Sequence, residues 1–340
     1  MGRMVLATVV TMLLVETFKL PFGFLAIFYA LAIARENPHA TVRNGFRIIL
    51  ANFAGAAFVI LGAMFMIDYP LTHFLLVAIS FFVVFFITRT SRNFSVAFGF
   101  GIMVVAGVCL IWQRPSPAEL RLETTIGASF GIALGTVVTI VIEWLLAGKD
   151  HPRPAPARLA PAHPAIFVAD AFSNPEYLVY ALKGALAGSL CFAIWTSLFW
   201  PGVGESIITC VIVAPTGLPG SPRRQMFTRV MGVLVGGLFF GIGSQVWLNP
   251  LLDSVFGFTL AFAIVTAIAA WCATAGPRLA YFGRQVALAY DVAMFQGFSA
   301  RTPLAAGWNP QMGIFLGLIV MWMVFDLPGT LRRSRTYKTA

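Results

Sequence analysis

Long apolar runs broken by short polar ones dominate this chain. They fall at roughly 4–18, 21–34, 45–67, 70–88, 94–112 and 124–147 and, after a polar stretch, at roughly 177–199, 201–217, 226–248, 250–273, 279–298 and 309–328. Each suits an α-helix that crosses or enters a hydrocarbon core of about 30 Å. Two are short. One opens on Pro21-Phe22-Gly23, the other follows Trp200-Pro201-Gly202 and stops at Pro215. The roughly 15 residues between Pro201 and Pro215 make only about 22 Å of helix.

The two series run in parallel. Leu20-Pro21 precedes Trp200-Pro201 by 180 positions, and the same offset sets Arg3 opposite Lys183. Arg47 precedes "ANFAGAAF" much as Arg229 precedes "MGVLVGGLFFGIG", Asp68-Tyr69-Pro70 answers to Asn249-Pro250, and Gly131 and Gly135 answer to Gly313 and Gly317. Six spans is an even number, so both series enter from one side, as a pseudo-dimer about an axis along the membrane normal. The pattern predicts an all-α polytopic membrane protein with about twelve membrane segments. They form two parallel six-helix repeats, each with a short broken second helix. The boundaries expected are 1–148 for the first half, 149–175 for a Pro-rich solvated linker, 176–329 for the second half and 330–340 for a basic tail.

Composition fixes the solvent. The 340 residues are 59% hydrophobic and 11% charged, with mean hydropathy +0.85, against about 25% charged in soluble domains. The net charge of +10 therefore gives no case for nucleic acid, because the cations lie in short loops between apolar runs. Eighteen of the 23 Lys and Arg fall on the side of the termini and even-numbered loops and four on the other, with Lys183 inside a span. The positive-inside rule then places both termini and the linker in the cytoplasm. The opening "MGRMVLATVVTMLLVETFKLP" has the shape of a signal peptide, but an apolar segment follows at once and the stretch has a counterpart deeper in the chain. It is read as the first helix.

The four cysteines lie inside apolar runs without metal or redox spacing and are read as buried and reduced. With no metal-spaced cluster, nucleophile elbow or P-loop, neither enzyme nor cofactor is expected. The chemistry-bearing positions are instead charges the bilayer should exclude. An unpaired charge at the bilayer centre costs at least about 2.5–3.5 kcal/mol, so each should face a cavity or a partner. Lys183 sits near a helix end, where snorkelling alone accounts for it. Glu143 and Asp326 close their spans and fit the headgroups. Asp291 is mid-span, seven residues after Arg284 and on the same helical face, so the two form either an anion-attracting entrance with a protonatable acid behind it or an ion pair. Glu205 opens its short helix, where an acid also favours the helix N-terminus. Arg223, Arg224 and Arg229 stand at the predicted cytoplasmic mouth, as anchors or as a focusing field for carboxylates. The substrate-binding set expected is Lys183, Arg223, Arg224, Arg229, Arg284 and Gln285, with Glu205 and Asp291 as proton-coupling acids. Paired short helices interrupted by Gly and Pro, at matching places in two repeats, point to a transport site.

In the second half, "ALKGALAGSLCFAIW", "FWPGVGESIITCVIVAP", "RRQMFTRVMGVLVGG" and "PRLAYFGRQVALAYDVAMFQGF" resemble the fusaric acid resistance family, and the first half does so more weakly. In that resemblance the family's Lys falls on Lys183, its Trp-Pro-Gly on Trp200, Pro201 and Gly202, and its Arg before glycines on Arg229, Gly232 and Gly236. Its aromatic-Gly-X-Gln falls on Tyr281, Gly283 and Gln285. The resemblance implies export of aromatic or other organic carboxylates from a bacterial inner membrane, driven by the proton motive force. It also implies a periplasmic membrane-fusion adaptor and an outer-membrane channel as partners; association of two or more copies is left open. An organic-anion channel of the same architecture stands as the alternative. Large cytoplasmic domains found in longer family members have no counterpart here, which suits either a compact subfamily or a piece of a longer chain.

Overall fold

The computed structural model describes residues 1–33, 38–66, 70–108, 118–146, 166–213, 222–295 and 304–326. Among them are twelve α-helices: α1 (Gly2–Phe18), α2 (Gly23–Ile33), α3 (Pro38–Met66), α4 (Pro70–Thr90), α5 (Phe94–Ala106), α6 (Ala118–Leu146), α7 (Pro175–Leu198), α8 (Val203–Val213), α9 (Pro222–Gly232), α10 (Val255–Thr274), α11 (Pro277–Met294) and α12 (Leu304–Met321). α9 runs on in widened π-helical turns over Val233–Ile242 and Ser244–Leu248, and α12 over Trp322–Asp326. The described β-structure is one isolated antiparallel bridge, Ser91 to Phe167. Seven helices are long and apolar enough to cross a membrane, including the α9 continuation; α2 and the body of α5 are apolar but shorter. The chain is a multi-pass, all-α membrane protein.

α2 and α8 have 11 residues each, about 16 Å of helix. Both follow a left-handed break. Lys19 (φ 50°) ends α1 and Phe22 (φ 54°) precedes α2; Phe199 (φ 52°) ends α7 and Gly202 (φ 73°) precedes α8. Phe22 has a Cβ in a region that bulky residues avoid, at a cost of order 1–3 kcal/mol. The first turns leave backbone groups without intrahelical partners, and lipid offers none. Burial answers this. Of α2, every residue but Ala32 is buried, and residues 204–211 of α8 are buried throughout. A helix that is apolar all round, as α2 is, belongs in an interior, and both short helices have one.

Small residues permit the close approach. α2 lies on α6, where a Cβ at Gly135 would strike the carbonyl of Ala26 and one at Gly127 the ring of Pro21. α8 lies on α12, where a Cβ at Gly313 would strike Gly202 and one at Gly317 the carbonyl of Ser206. Such small-residue ridges are the common device for backbone-to-backbone packing in lipid. Thr139 Oγ1 donates to the Ala30 carbonyl (3.1 Å), adding a polar tie between α6 and α2.

Within the first six helices, α1, α2 and α6 pack together, α3 packs on α5 and α6, and α4 on α5. Within the last six, α7, α8 and α12 pack together, α9 and its continuation pack on α11 and α12, and α10 on α11. Between the sets, α4 runs along α7, α1 meets α10, α2 meets α11 and α5 meets α8. The α4–α7 seam is tight: Phe85 and Phe81 fill the space a Cβ would need at Gly184 and Gly188, and the Arg89 guanidinium lies 5.7 Å from the rings of Tyr177 and Tyr180.

Two expectations change. Glu143 does not sit free at the headgroups; it is 3% exposed and ion-paired to Arg3 at 3.2 Å, tying α6 to α1. The end of the stretch expected as solvated linker is docked, since Val168 N–H donates to the Thr90 carbonyl and Arg92 N–H to the Ile166 carbonyl. The Sγ atoms of Cys191 and Cys210 are buried, reduced and 3.9 Å apart; Cys109 lies outside the described residues.

Gly135→Ala and Gly317→Ala should each destabilise the folded protein by about 1–3 kcal/mol, because the new methyl meets backbone rather than a movable side chain. Gly243→Ala, whose Cβ would meet nothing nearer than the Leu238 carbonyl at 3.9 Å, should be neutral or slightly stabilising. Thermal unfolding of the purified variants in one detergent checks the contrast.

Candidate functional site

Where α2 and α5 meet α8 and α11, a narrow cavity remains among the packed helices. One wall is aromatic: Phe24, Phe28 and Tyr29 from α2 and Phe98 from α5. Their rings touch edge-on or tilted, with centroids 6.0 Å (Phe28–Tyr29), 6.4 Å (Phe28–Phe98) and 6.1 Å (Tyr29–Phe98) apart. The other wall carries charge, with Glu205 from α8 and Arg229 from α9. The space holds little more than a water molecule. In this conformation the site is closed.

Arg229 is the largest fully buried side chain among the described residues, 1% exposed. Its place follows from local packing: Gly232, three residues on, presents no side chain and lets α11 press Gln285 against α9. The guanidinium donates through Nη1 to Gln285 Oε1 and through Nη2 to Thr209 Oγ1 at 3.4 Å. Its Nε is buried with no hydrogen-bond partner. Both acceptors are neutral. A buried cation is ordinarily paired with an anion, and leaving one without it is costly. A guanidinium also presents a fork that matches a carboxylate. Arg229 therefore has the chemistry and the vacancy to receive an oxyanion.

Glu205, 7% exposed, lies in the first turn of α8, where the helix dipole favours a carboxylate. It shares the cavity with Arg229. Asp291 is 2% exposed and its Oδ2 has no hydrogen-bond partner. Leu288 and Val292 of the same helix line the cavity and Asp291 does not, so it stands beside the site. No ion pair joins Asp291 to Arg284, whose Nε is likewise buried without a partner. A structural Arg284–Asp291 ion pair, the alternative left open by the sequence, is thus not the reason for either charge.

Of the sequence-predicted binding residues, the structure brings Arg229 and Gln285 into direct contact and sets Glu205 across the same cavity. Lys183 is elsewhere, its Nζ 5.8 Å from the ring of Phe325. Arg284 is partly buried outside the cavity lining. Arg223 and Arg224 lie in the first turn of α9, and their side chains are outside the described residues; the Asp326 side chain is too. Sequence reasoning missed Thr209, Tyr29 and Tyr281 as polar partners. The 180-residue offset that pairs Leu20 with Trp200 also pairs Tyr29 with Thr209, and that register is the signal that would have singled out those two.

Residues 9–147 match the family model described as fusaric acid resistance protein-like. The match falls on the first half, the one whose motifs carry the weaker resemblance by eye. The chain is similar to the multidrug resistance protein MdtO of Shigella flexneri, 30% identical over 198 residues, which is 56% of this chain and 28% of that protein. It is similar to MdtO of Escherichia coli O6:H1 (30% over 187 residues) and of strain K12 (29% over 187 residues), each match covering 54% of this chain and 26% of the relative. The matched stretch thus spans little more than a quarter of these relatives' length. No solved structure matches the chain.

Removing the acceptor and removing the charge should act in opposite directions. Gln285→Leu leaves a buried guanidinium short of a partner and should lower stability by about 1–3 kcal/mol. Arg229→Met, which replaces a buried charge by an apolar chain of similar length, should leave stability unchanged or raise it. Melting temperatures of the two variants, measured without ligand, check the signs.

Proposed function

We propose that this chain, which belongs to the fusaric acid resistance-like family, is an efflux transporter that carries hydrophobic organic carboxylates, aromatic ones among them, out across a bacterial inner membrane. The observation that carries the reading is Arg229: a fully buried cation, held only by neutral partners, beside a cavity between the two sets of six helices. A substrate carboxylate would lie against its guanidinium, with Gln285 and Thr209 holding the fork in place. The apolar body of the substrate would lie against Phe28, Phe98 and the ring of Tyr29. Names of the relatives, multidrug resistance proteins, support export of small compounds.

The architecture proposed is a duplicated six-helix unit. In its support, the main helix contacts within α1–α6 have their equivalents within α7–α12, and the main seams between the sets come in two equivalent pairs, α4–α7 with α1–α10 and α5–α8 with α2–α11. The left-handed breaks recur at Lys19 and Phe199 and at Phe22 and Gly202, 180 positions apart. The cavity then lies on the pseudo-twofold axis, where rocking of one half against the other opens it alternately to each side. A closed cavity suits such an occluded stage better than a conducting pore. Asp291, buried with an unpartnered oxygen, serves as the proton carrier, with Glu205 as the acid nearest the substrate. The Lys and Arg distribution supports a cytoplasmic placement of both termini. A membrane-fusion adaptor and an outer-membrane channel complete the route in cells with two membranes.

In proteoliposomes, an imposed proton gradient should drive uptake or release of a labelled aromatic carboxylate by the wild-type protein. Asp291→Asn should abolish that response while leaving gradient-independent substrate exchange within about threefold of wild type. Single-channel currents with flux indifferent to the gradient would instead establish the anion channel.

A further inference from the structure

The cavity's hydrogen-bond account is one-sided, and that imbalance names a residue the sequence reading did not. Two buried donors without hydrogen-bond partners belong to residues that line the cavity, Arg229 Nε and the Tyr29 hydroxyl, and a third is the hydroxyl of Tyr281. Tyr29, 1% exposed, lines the cavity from α2. Tyr281, on α11, lies close enough to Arg229 for the two to interact electrostatically. All three can donate, and a buried donor left unmatched costs about 1–3 kcal/mol. Two such groups on one cavity lining, with a third beside Arg229, fit a ligand that brings acceptor oxygens with it.

Provenance sharpens the point. Tyr29 and Thr209 occupy equivalent places, 180 residues apart on the two short helices. Thr209 already accepts from Arg229 and belongs to the same set of helices as the arginine. Tyr29 comes from the other set. In the first set the same 180-residue register puts Ile49 opposite Arg229, and Arg47, two residues out of phase, is exposed, so the anion site is single, with its cation from one side and an unmatched hydroxyl from the other.

Resting on the carboxylate-export reading above, we infer that Tyr29 is a specificity-determining residue of the substrate site. Its hydroxyl donates to the carboxylate held by Arg229 when the two helix sets close on it. Tyr281 supports the same group from α11. Because the closed cavity admits only water, the sets must part to admit substrate, and the Tyr29 contact forms on closure.

The test uses the full chain in nanodiscs with 2-naphthoate and its uncharged counterpart 2-naphthamide as probes. Tyr29→Phe removes one oxygen and keeps the ring. It should weaken 2-naphthoate binding roughly ten- to a hundredfold, leave any 2-naphthamide binding unchanged, and raise the melting temperature of the unliganded protein, since the unmatched hydroxyl is gone. A hydroxyl with a purely structural role would lower that temperature. Tyr281→Phe should show the same signs with a smaller effect on naphthoate. If the wild type binds 2-naphthoate and Arg229→Met abolishes it, while both Tyr→Phe variants bind as the wild type does, the inference about Tyr29 is overturned and the carboxylate site stands. If the wild type does not bind 2-naphthoate, or Arg229→Met binds it equally well, the carboxylate site itself is overturned.

Discussion

A peptide group inside a bilayer has nowhere to find a hydrogen bond except in protein. This chain ends two helices in left-handed breaks, at Lys19–Phe22 and at Phe199–Gly202, restarts each as a short apolar helix, and the rest of its architecture answers that constraint. The short helices that follow, α2 and α8, are enclosed by neighbours, and those neighbours have glycines where the broken ends press. Glycine is a poor helix former, worth about 1 kcal/mol less than alanine per site. Gly135, Gly313 and Gly317 hold mid-helix places all the same, because any side chain there would push the broken segments outward. The helix breaks, the glycine ridges and the central position of α2 and α8 are thus one feature seen three times.

Enclosing the short helices also sets the chemistry. Their side chains point into protein, so a polar residue on them must be matched by something other than lipid or bulk water. The two helices have gone different ways. α2 offers Phe24, Phe28 and Tyr29, an apolar surface with one hydroxyl; α8 offers Glu205 and Thr209. Arg229 is buried against the second of these, whereas Arg47, on α3 of the other set, is out at the surface. On the proposed duplication, one unit supplies an apolar wall and the other a charged wall, a division that suits a ligand with a flat hydrophobic body and an anionic end.

Much of this was legible in the sequence because lipid leaves few options. Apolar runs of the right length can only be helices in a bilayer, and the prolines and glycines at Pro21, Gly23, Pro201 and Gly202 mark the breaks within a few residues. Arg229 and Gln285 stood out since charged and amide groups are conspicuous against an apolar background, and they prove to touch. Burial was not legible. Lys183 and Arg229 look alike as lone cations in apolar surroundings, yet one lies over the Phe325 ring near the surface and the other is fully enclosed. The difference lies in which face of each helix meets a neighbour, and that depends on contacts between residues 50 or more positions apart. Tyr29 escaped notice for a related reason: a tyrosine among Phe, Leu and Ile reads as packing until its hydroxyl is found without a partner. Glu143 was misjudged because its partner Arg3 is 140 residues away, on a helix the sequence gives no reason to place beside it.

Transport asks more of a site than affinity. A ligand shifts the balance between two conformations only by as much as it binds one better than the other. An anion that met Arg229, Gln285 and Thr209 alone would touch one set of helices, with the same contacts whether the sets were open or closed, and would move nothing. A contact from the opposite set changes this, since it exists only when the sets are together. One hydrogen bond to a charged group, at about 1.5–3 kcal/mol, is enough to favour closure by roughly ten- to a hundredfold. The unliganded closed state, meanwhile, bears the cost of its unmatched donors and is discouraged. In the proposed cycle, then, the empty protein is biased against closing and the loaded one toward it, and an unpaired hydroxyl on the first short helix is where that bias is stored.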